Sequence, residues 1–384
     1  MVSIAPSSLV HAARMGAPGS ICGVFAMLLG PWPRVTSDGV RLDELEGAVT
    51  AGHATTGELE RAVTQVVAEA IAAQEQAGMG LITDGSARWA DPSRAMLDAL
   101  RDGDTGRDGL LVRAWRAAAE LTGVPVAQAV TGPWTLATLD LEAAAVPGAI
   151  AGRAAELADQ LAGELAALAD AGCPVVQVLE PSAVTIGGDD RGRSAFLGVH
   201  QRLLARAGDL HVMLAITGGS AAEAGAEAIL GAPYASFLFD LVAGPDNWHL
   251  VRAAPTDRGI ICAALRAGDG KERLDQAPEL VWAAQYAASS NRRGLERVGL
   301  ANATSLADLA PADARAALDA LARAARLAAM PAREAVDAGL DRRILTHGSI
   351  PPGLAGTTRP SAPAERSPRQ TERPTPRRTP RSPN

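Results

Sequence analysis

Lysine is nearly missing from this chain. Lys271 is the only lysine among 36 basic residues, which reads as base composition and not as function. Aromatic residues are scarce at 3 %, so the position of each is informative. There are three cysteines, Cys22, Cys173 and Cys262, each in an apolar stretch. An odd, small number in 384 residues excludes a disulfide scaffold. No paired CxxC spacing is present, which excludes a zinc ribbon. No run approaches the ~18 apolar residues a membrane span needs, so a membrane bundle is excluded.

What is present is an ordinary globular balance, with 47 % apolar and 21 % charged residues. The net charge of −7 is unevenly spread. Pro351 to Asn384 carries +5 and nine of the 25 prolines, leaving −12 on residues 1–350. Such a tail buries too little apolar surface to offset its chain entropy, so residues 346–384 are expected to be disordered. An acidic body lacks the basic footprint that phosphate binding requires, which argues against nucleic acid as partner. A small-molecule substrate is expected instead, with no membrane partner; the oligomeric state is not legible. Residues 1–19 read as an N-terminal extension. Arg14 ahead of Ile21–Leu29 imitates a signal peptide, but Gly30-Pro31-Trp32-Pro33 follows where a small-residue cleavage site belongs. The stretch is better read as a first buried strand, and the expected location is cytoplasmic.

Between residues 20 and 345 one pattern recurs. Eight short apolar runs alternate with Ala-rich amphipathic segments. The runs are Ile21–Leu29, Gly80–Thr83, Val124–Val130, Pro174–Leu179, Leu210–Ile216, Ala235–Leu241, Gly259–Leu265 and Arg297–Ala301. They do not alternate in polarity, as expected of parallel strands buried on both faces. Thr55 and Glu58 form a capping box ahead of an apolar helical face, and Gly78 stands where a C-cap belongs. Further helices are expected over about 150–171, 191–207, 221–230, 277–289 and 311–329. Eight strand–helix units predict an α/β fold, a (β/α)8 TIM barrel. The doubly wound alternative wants a Gly-rich phosphate loop after its first strand, and Gly30-Pro31-Trp32-Pro33-Arg34 lacks that spacing.

Barrel chemistry sits at the C-terminal strand ends. There the sequence places Gly30-Pro31-Trp32-Pro33-Arg34, Thr83-Asp84-Gly85-Ser86 with Arg88 and Trp89, Thr131-Gly132-Pro133-Trp134-Thr135, and Glu180-Pro181. The later runs carry His211 and Met213, Asp240, Arg266 with Asp269, and Asn302 with Thr304. Together with Gln74-Glu75-Gln76-Ala77-Gly78, Ala171-Gly172-Cys173 and Gln177-Val178-Leu179-Glu180-Pro181, these strings resemble the catalytic barrel of cobalamin-independent methionine synthase. That family belongs to the wider uroporphyrinogen decarboxylase-like superfamily. The resemblance spans roughly residues 20–330.

The resemblance implies transfer of a methyl or one-carbon group from a folate-type donor to a thiol or similar nucleophile. It also implies a zinc site at His211, Met213, Asp240 and Thr304. Here a thioether and a hydroxyl stand where the family has thiolates, which argues against tight zinc. Ser86 and Leu179 replace the two carboxylates that hold the substrate ammonium in the family, which argues against homocysteine itself.

From the residues themselves, Asp240 and His211 on neighbouring runs are a candidate acid–base pair. Glu180 is a third catalytic candidate, or a helix cap. Trp32, Trp89 and Trp134 with Arg34 and Arg88 form a candidate rim for a planar anionic ligand, or a plug. Asp84, Ser86 and Asn302 are further candidate substrate contacts. His53, His200 and His249 read as surface residues, and the cysteines as core. Two alternative functions share the fold: a metal-free lyase or decarboxylase using Arg34, Arg88 and Arg266, and a non-catalytic ligand-binding barrel.

Overall fold

A computed structural model of the chain describes residues 23–141, 147–268 and 276–341. The N-terminal extension, Cys22, Asp269, Lys271 and the C-terminal tail lie outside the described residues.

The chain opens with β1 (Phe25–Met27), followed by α1 (Leu42–Thr50), α2 (Thr56–Ala77), α3 (Pro92–Asp102) and α4 (Leu110–Ala119). Next come β2 (Ala127–Thr131), α5 (Pro133–Asp140), α6 (Pro147–Ala171), β3 (Val175–Leu179) and α7 (Asp190–Leu204). The remaining units are β4 (His211–Ile216), α8 (Gly225–Leu230), β5 (Ser236–Asp240), α9 (Trp248–Ala253), β6 (Gly259–Leu265), α10 (Ala277–Ser289), β7 (Val298–Asn302), α11 (Pro311–Ala329) and α12 (Ala332–Asp337). The local signals operate as expected in α2. Thr55 accepts from the Glu58 N–H, Glu58 accepts from the Thr55 N–H, and Gly78 ends the helix at φ +82°.

The seven strands form one all-parallel sheet in the order β1-β7-β6-β5-β4-β3-β2. The sheet curls until its two faces become an inside and an outside. On β3, Val175 and Leu179 face an inner cluster, while Val176 and Val178 face the helices. The inner cluster includes Met27 and Leu29 from the β1 end and Leu81 and Ala127 from the other edge. The curl therefore brings the two edges together around one apolar interior.

The expected eighth strand is not there as a strand. Gly80–Thr83 reduces to a single parallel bridge, Ile82 to Val126. Ile82 pairs outward to β2, donating to Pro125 and accepting from Ala127. Backbone groups of successive strand residues point to opposite sides, so those of Thr83 point toward the β1 edge. A side chain takes both of them. Gln74 of α2, fully buried, accepts the Thr83 N–H at 3.0 Å and donates to the Thr83 carbonyl at 2.8 Å. The Thr83 groups that would have laced this edge to β1 are occupied, and no strand pairing closes the sheet along that seam among the described residues.

Candidate ligand site at the mouth of the sheet

A cavity of about 130 Å³ opens at the C-terminal strand ends, where β1, the Ile82 segment, β2 and β3 finish. Its lining includes Pro31, Asp84, Ser86, Trp89, Thr131 and Leu179, with Met96 from α3 and Leu111 from α4.

The polar side of the cavity is the turn after Thr83. Gly85 and Ser86 both adopt left-handed backbone, at φ +69° and +49°. A Cβ on Gly85 would stand 2.7 Å from that of Trp32, so glycine is required for space as well as for φ. Trp32 donates its backbone N–H to the Gly85 carbonyl at 2.8 Å, which pins the turn. Within it, Asp84 Oδ1 accepts from the Ser86 N–H at 2.8 Å. Asp84 Oδ2 is 3.5 Å from Arg88 Nε but makes no hydrogen bond, and the carboxyl is buried. Burial outweighs the neighbouring guanidinium and raises the Asp84 pKa above the usual carboxylate range.

The other expected site residues have different surroundings. His211 begins β4 and so lies at the base of the sheet, opposite the mouth. In the β4–β5 register Met213 faces Ser236 and Ile216 faces Phe239. Asp240 is therefore about six residues, or about 20 Å, along the sheet from the level of His211. The expected His211–Asp240 pair does not form. His211 Nε2 instead meets the Ser236 hydroxyl at 2.9 Å, and burial lowers its pKa to about 3. Asp240 accepts three backbone N–H groups, from Gly218, Val242 and Ala243, and so organises the loops after β4 and β5.

Glu180 is fully buried and caps α5. Oε1 accepts from the Trp134 N–H at 2.9 Å, and Oε2 accepts from the Thr135 N–H at 2.8 Å and the Thr135 hydroxyl at 2.6 Å. A negative group at a helix N-terminus is favourable there. Behind it stands His200, whose Nε2 is 3.3 Å from Oε1 and whose Nδ1 is 2.5 Å from the Tyr234 hydroxyl. Burial and the Glu180 charge hold the Tyr234 phenol well above its ordinary pKa. His200 is thus a core residue and not a surface one; it shares the buried face of α7 with Phe196, Val199 and Leu203. That period-four spacing with Phe196 was the available signal. His53 and His249 are exposed, as expected.

The expected aromatic and arginine rim is mostly wall. Trp32 and Trp134 are buried, Trp134 edge-on against Phe196, and only Trp89 is half-exposed. Arg34 pairs with Asp43 and Glu46 and donates to the Ala87 carbonyl. Arg266 pairs with Glu279. Asn302 donates to the Leu29 carbonyl and accepts its N–H, extending the β1–β7 pairing by a side chain.

A zinc site of the family kind does not fit these residues. Thr304 Oγ1 accepts from the Ala267 N–H at 2.7 Å, Asp240 is committed to backbone, and His211 is at the wrong end. Nearer the mouth, the inward positions of β4 are Met213 and Ala215, neither a strong ligand. Among the described residues no group of three or more His, Cys, Asp or Glu comes together. Cys173 and Cys262 are buried thiols, pushed up to about 12 by burial.

No protein-family model and no curated protein matches this sequence. Solved structures do match in fold. A putative vitamin-B12 independent methionine synthase from Listeria monocytogenes aligns with TM-score 0.59 at 16 % identity, covering 80 % of this chain and 98 % of that one. A B12-independent methionine synthase from Shewanella sp. W3-18-1, in complex with selenomethionine, aligns with TM-score 0.59 at 13 % identity, covering 83 % and 100 %. A methyltransferase from Methanosarcina mazei gives 0.51 at 15 %, covering 83 % and 99 %. At these identities the likeness is one of fold. The chain shares the α/β barrel-type fold of these structures. No helix among the described residues is long and apolar enough to cross a membrane.

Proposed function

We propose that this chain is a methyl- or one-carbon-transfer enzyme that binds its acceptor in the Asp84 cavity and works without a zinc-activated thiol. The observation that carries this reading is the buried Asp84 carboxyl, with one oxygen unbonded, in a cavity at the catalytic end of a methyltransferase-type fold. A carboxyl of raised proton affinity is suited to general-base work near neutral pH. As an S–H, N–H or O–H nucleophile bonds to the methyl carbon, its proton passes to Asp84 Oδ2. The donor departs with the electron pair of the broken bond. Arg88 and the Ser86 N–H hold the carboxyl in place throughout. A folate-type donor is far larger than the cavity. Trp89, the half-exposed ring of the three, is the surface offered for it to stack on.

The lyase reading needs guanidinium groups for substrate carboxylates. Arg34, Arg88 and Arg266 each already face a carboxylate, so nothing favours it.

The test is a donor–acceptor screen. An N-methylated folate and a methyl sulfonium donor are incubated with small thiols, amines and hydroxy compounds, and products are read by mass spectrometry. Asp84→Asn should lower turnover by ~10² or more, the usual range for a lost acid–base group. His211→Ala should leave turnover per folded molecule unchanged. The reverse pattern would move the chemistry away from the cavity. Ligand binding with no turnover in any combination would leave a non-catalytic binding barrel.

A further inference from the structure

We infer that the chain holds a second ligand site, for the phosphate group of a small molecule, in the open cavity between the C-terminal ends of α9 and α10. It does not depend on the Asp84 cavity. The strands that follow these two helices, β6 and β7, start at the base of the sheet, so the two cavities lie at opposite ends of the fold.

The cavity measures about 570 Å³, within the usual range of small-molecule sites, and is lined by His249, Arg252, Ala253, Ser290 and Asn291. His249 and Arg252 are three residues apart on α9, so they are neighbours on one side of the helix. No carboxylate lines the cavity. Arg252 and Arg292, the residue after Asn291, are exposed, and neither pairs with a carboxylate among the described residues.

Behind the wall stands a third guanidinium. Arg293 is 1 % exposed. It donates to the carbonyls of Val251, Ala254, Pro255 and Arg258, and its Nε has no hydrogen bond. These partners are all neutral, and among the described residues no carboxylate pairs with it. A buried charge without a counter-ion is costly. The Ala254 carbonyl ties this charge to the cavity, because it accepts from Arg293 Nη2 at 3.2 Å and from Asn291 Nδ2 at 3.4 Å. The buried guanidinium is thus within two hydrogen-bond lengths of a lining residue. An anion in the cavity is the counter-ion that the fold itself does not supply.

Bare carbonyls at two helix C-termini would repel an anion. Here they are covered. Asn291 donates to the Arg252 carbonyl at 2.7 Å, Arg293 takes those on either side, and the Ser289 and Ser290 hydroxyls both donate to the Tyr286 carbonyl at the end of α10. Three guanidinium groups without counter-ions favour a dianion over a monoanion, and the arginine fork matches phosphate oxygens. The Asn291 amide oxygen and the Ser290 hydroxyl oxygen remain as acceptors for hydroxyl groups beside the phosphate. The chain is acidic overall, so this basic patch is a local feature.

The experiment titrates the full chain with inorganic phosphate, glycerol 3-phosphate and acetate by isothermal calorimetry at one fixed ionic strength. One site per chain is expected, with both phosphates about tenfold or more tighter than acetate. Glycerol 3-phosphate should bind more tightly than the free ion; the reverse order overturns the organic part of the ligand and leaves the phosphate site. Arg252→Glu alters an exposed side chain and should weaken both phosphates about tenfold or more. Arg107→Glu makes the same charge change at an exposed arginine elsewhere in the chain, and should alter binding less than twofold. Equal losses in the two variants mean general surface charge and overturn the site. Acetate binding as tightly as phosphate overturns the ligand class. No phosphate binding at all overturns the whole inference and leaves the Asp84 reading untouched.

Discussion

Replacing Glu180 by Gln separates a structural role from a catalytic one, and its size follows from the contacts. The two oxygens of Glu180 accept three hydrogen bonds: two from backbone N–H groups in the first turn of α5 and one from the Thr135 hydroxyl. Gln has nearly the same volume but only one accepting oxygen. Its amide nitrogen must then face at least one N–H that also donates. A hydrogen bond to a charged group contributes roughly 1.5–3 kcal/mol, and a buried donor left without a partner costs about 1–3 kcal/mol. These overlap and are not additive, so Glu180→Gln should cost about 3 kcal/mol. Relief by chain movement is blocked on one side. Glu180 packs so closely on Gly132 that a Cβ there would stand 2.2 Å from Oε1. The assay is urea unfolding followed by circular dichroism, with Thr135→Val as the second arm of a double-mutant cycle. The cycle should give a coupling of 0.5 kcal/mol or more, the usual range for residues sharing a hydrogen bond. A Glu180→Gln protein within about 0.5 kcal/mol of the parent, in the range of ordinary surface substitutions, but without turnover, would refute the capping role and return Glu180 to the chemistry.

Three further outcomes follow from other contacts. The unfolded chain protonates His211 near pH 6.5, whereas in the folded chain burial holds that event to about pH 3. The unfolded state therefore binds the extra proton between those values, and stability falls as pH drops through that window. From pH 7 to pH 5 the loss should be about 2 kcal/mol, and His211→Asn should remove most of it in paired unfolding curves. Gln74→Ala leaves the Thr83 N–H and carbonyl without partners. It should cost about 1–3 kcal/mol and speed amide exchange at Thr83 in hydrogen-exchange mass spectrometry. Cys173 and Cys262 should resist iodoacetamide in the native protein and react only on unfolding, because little of either thiol is ionised. Labelling of either at the rate of a free thiol would contradict its burial.

The fold was largely legible because buried parallel strands and long helices both leave strong periodic signals. Seven of the eight apolar runs are strands, and α10 and α11 have the expected bounds. The Gly80–Thr83 run failed because the lateral partner of Thr83 is a side chain, Gln74, nine residues earlier on the preceding helix. An apolar run reveals burial but not which backbone groups remain to be paired. The site was less legible for a related reason. Residue type identified Asp240, Glu180 and Arg34 as polar groups in apolar surroundings. It did not say whether backbone, another carboxylate or a ligand satisfies them. His211 was expected at the mouth on the strength of the resemblance, although the run Leu210–Ile216 already put it at the start of its strand and so at the base. Asp84 and Ser86 lie at the mouth as expected, because they directly follow the apolar run Gly80–Thr83. Arg293 belongs to no motif, and its burial among neutral carbonyls becomes visible only when its neighbours are known.

The side-chain latch at Thr83 changes what kind of object the cavity wall is. The turn carrying Asp84 and Ser86 is laced to β2 through Ile82 alone, and on its other side it is held by α2 and by the segment after β1, through Trp32 and Arg34. Gly85 rests against Ala70 of the same helix. Farther out, Glu69 of α2 accepts the Ser37 N–H in the long connection after β1. The wall is thus a door hinged on a helix. To swing it, the two Gln74 amide bonds and the Trp32–Gly85 backbone bond must break, and no sheet ladder need unzip. A displacement of α2, by a partner or a substitution, reaches the Asp84 turn through Gln74 on Thr83 and Ala70 on Gly85, its two flanking residues.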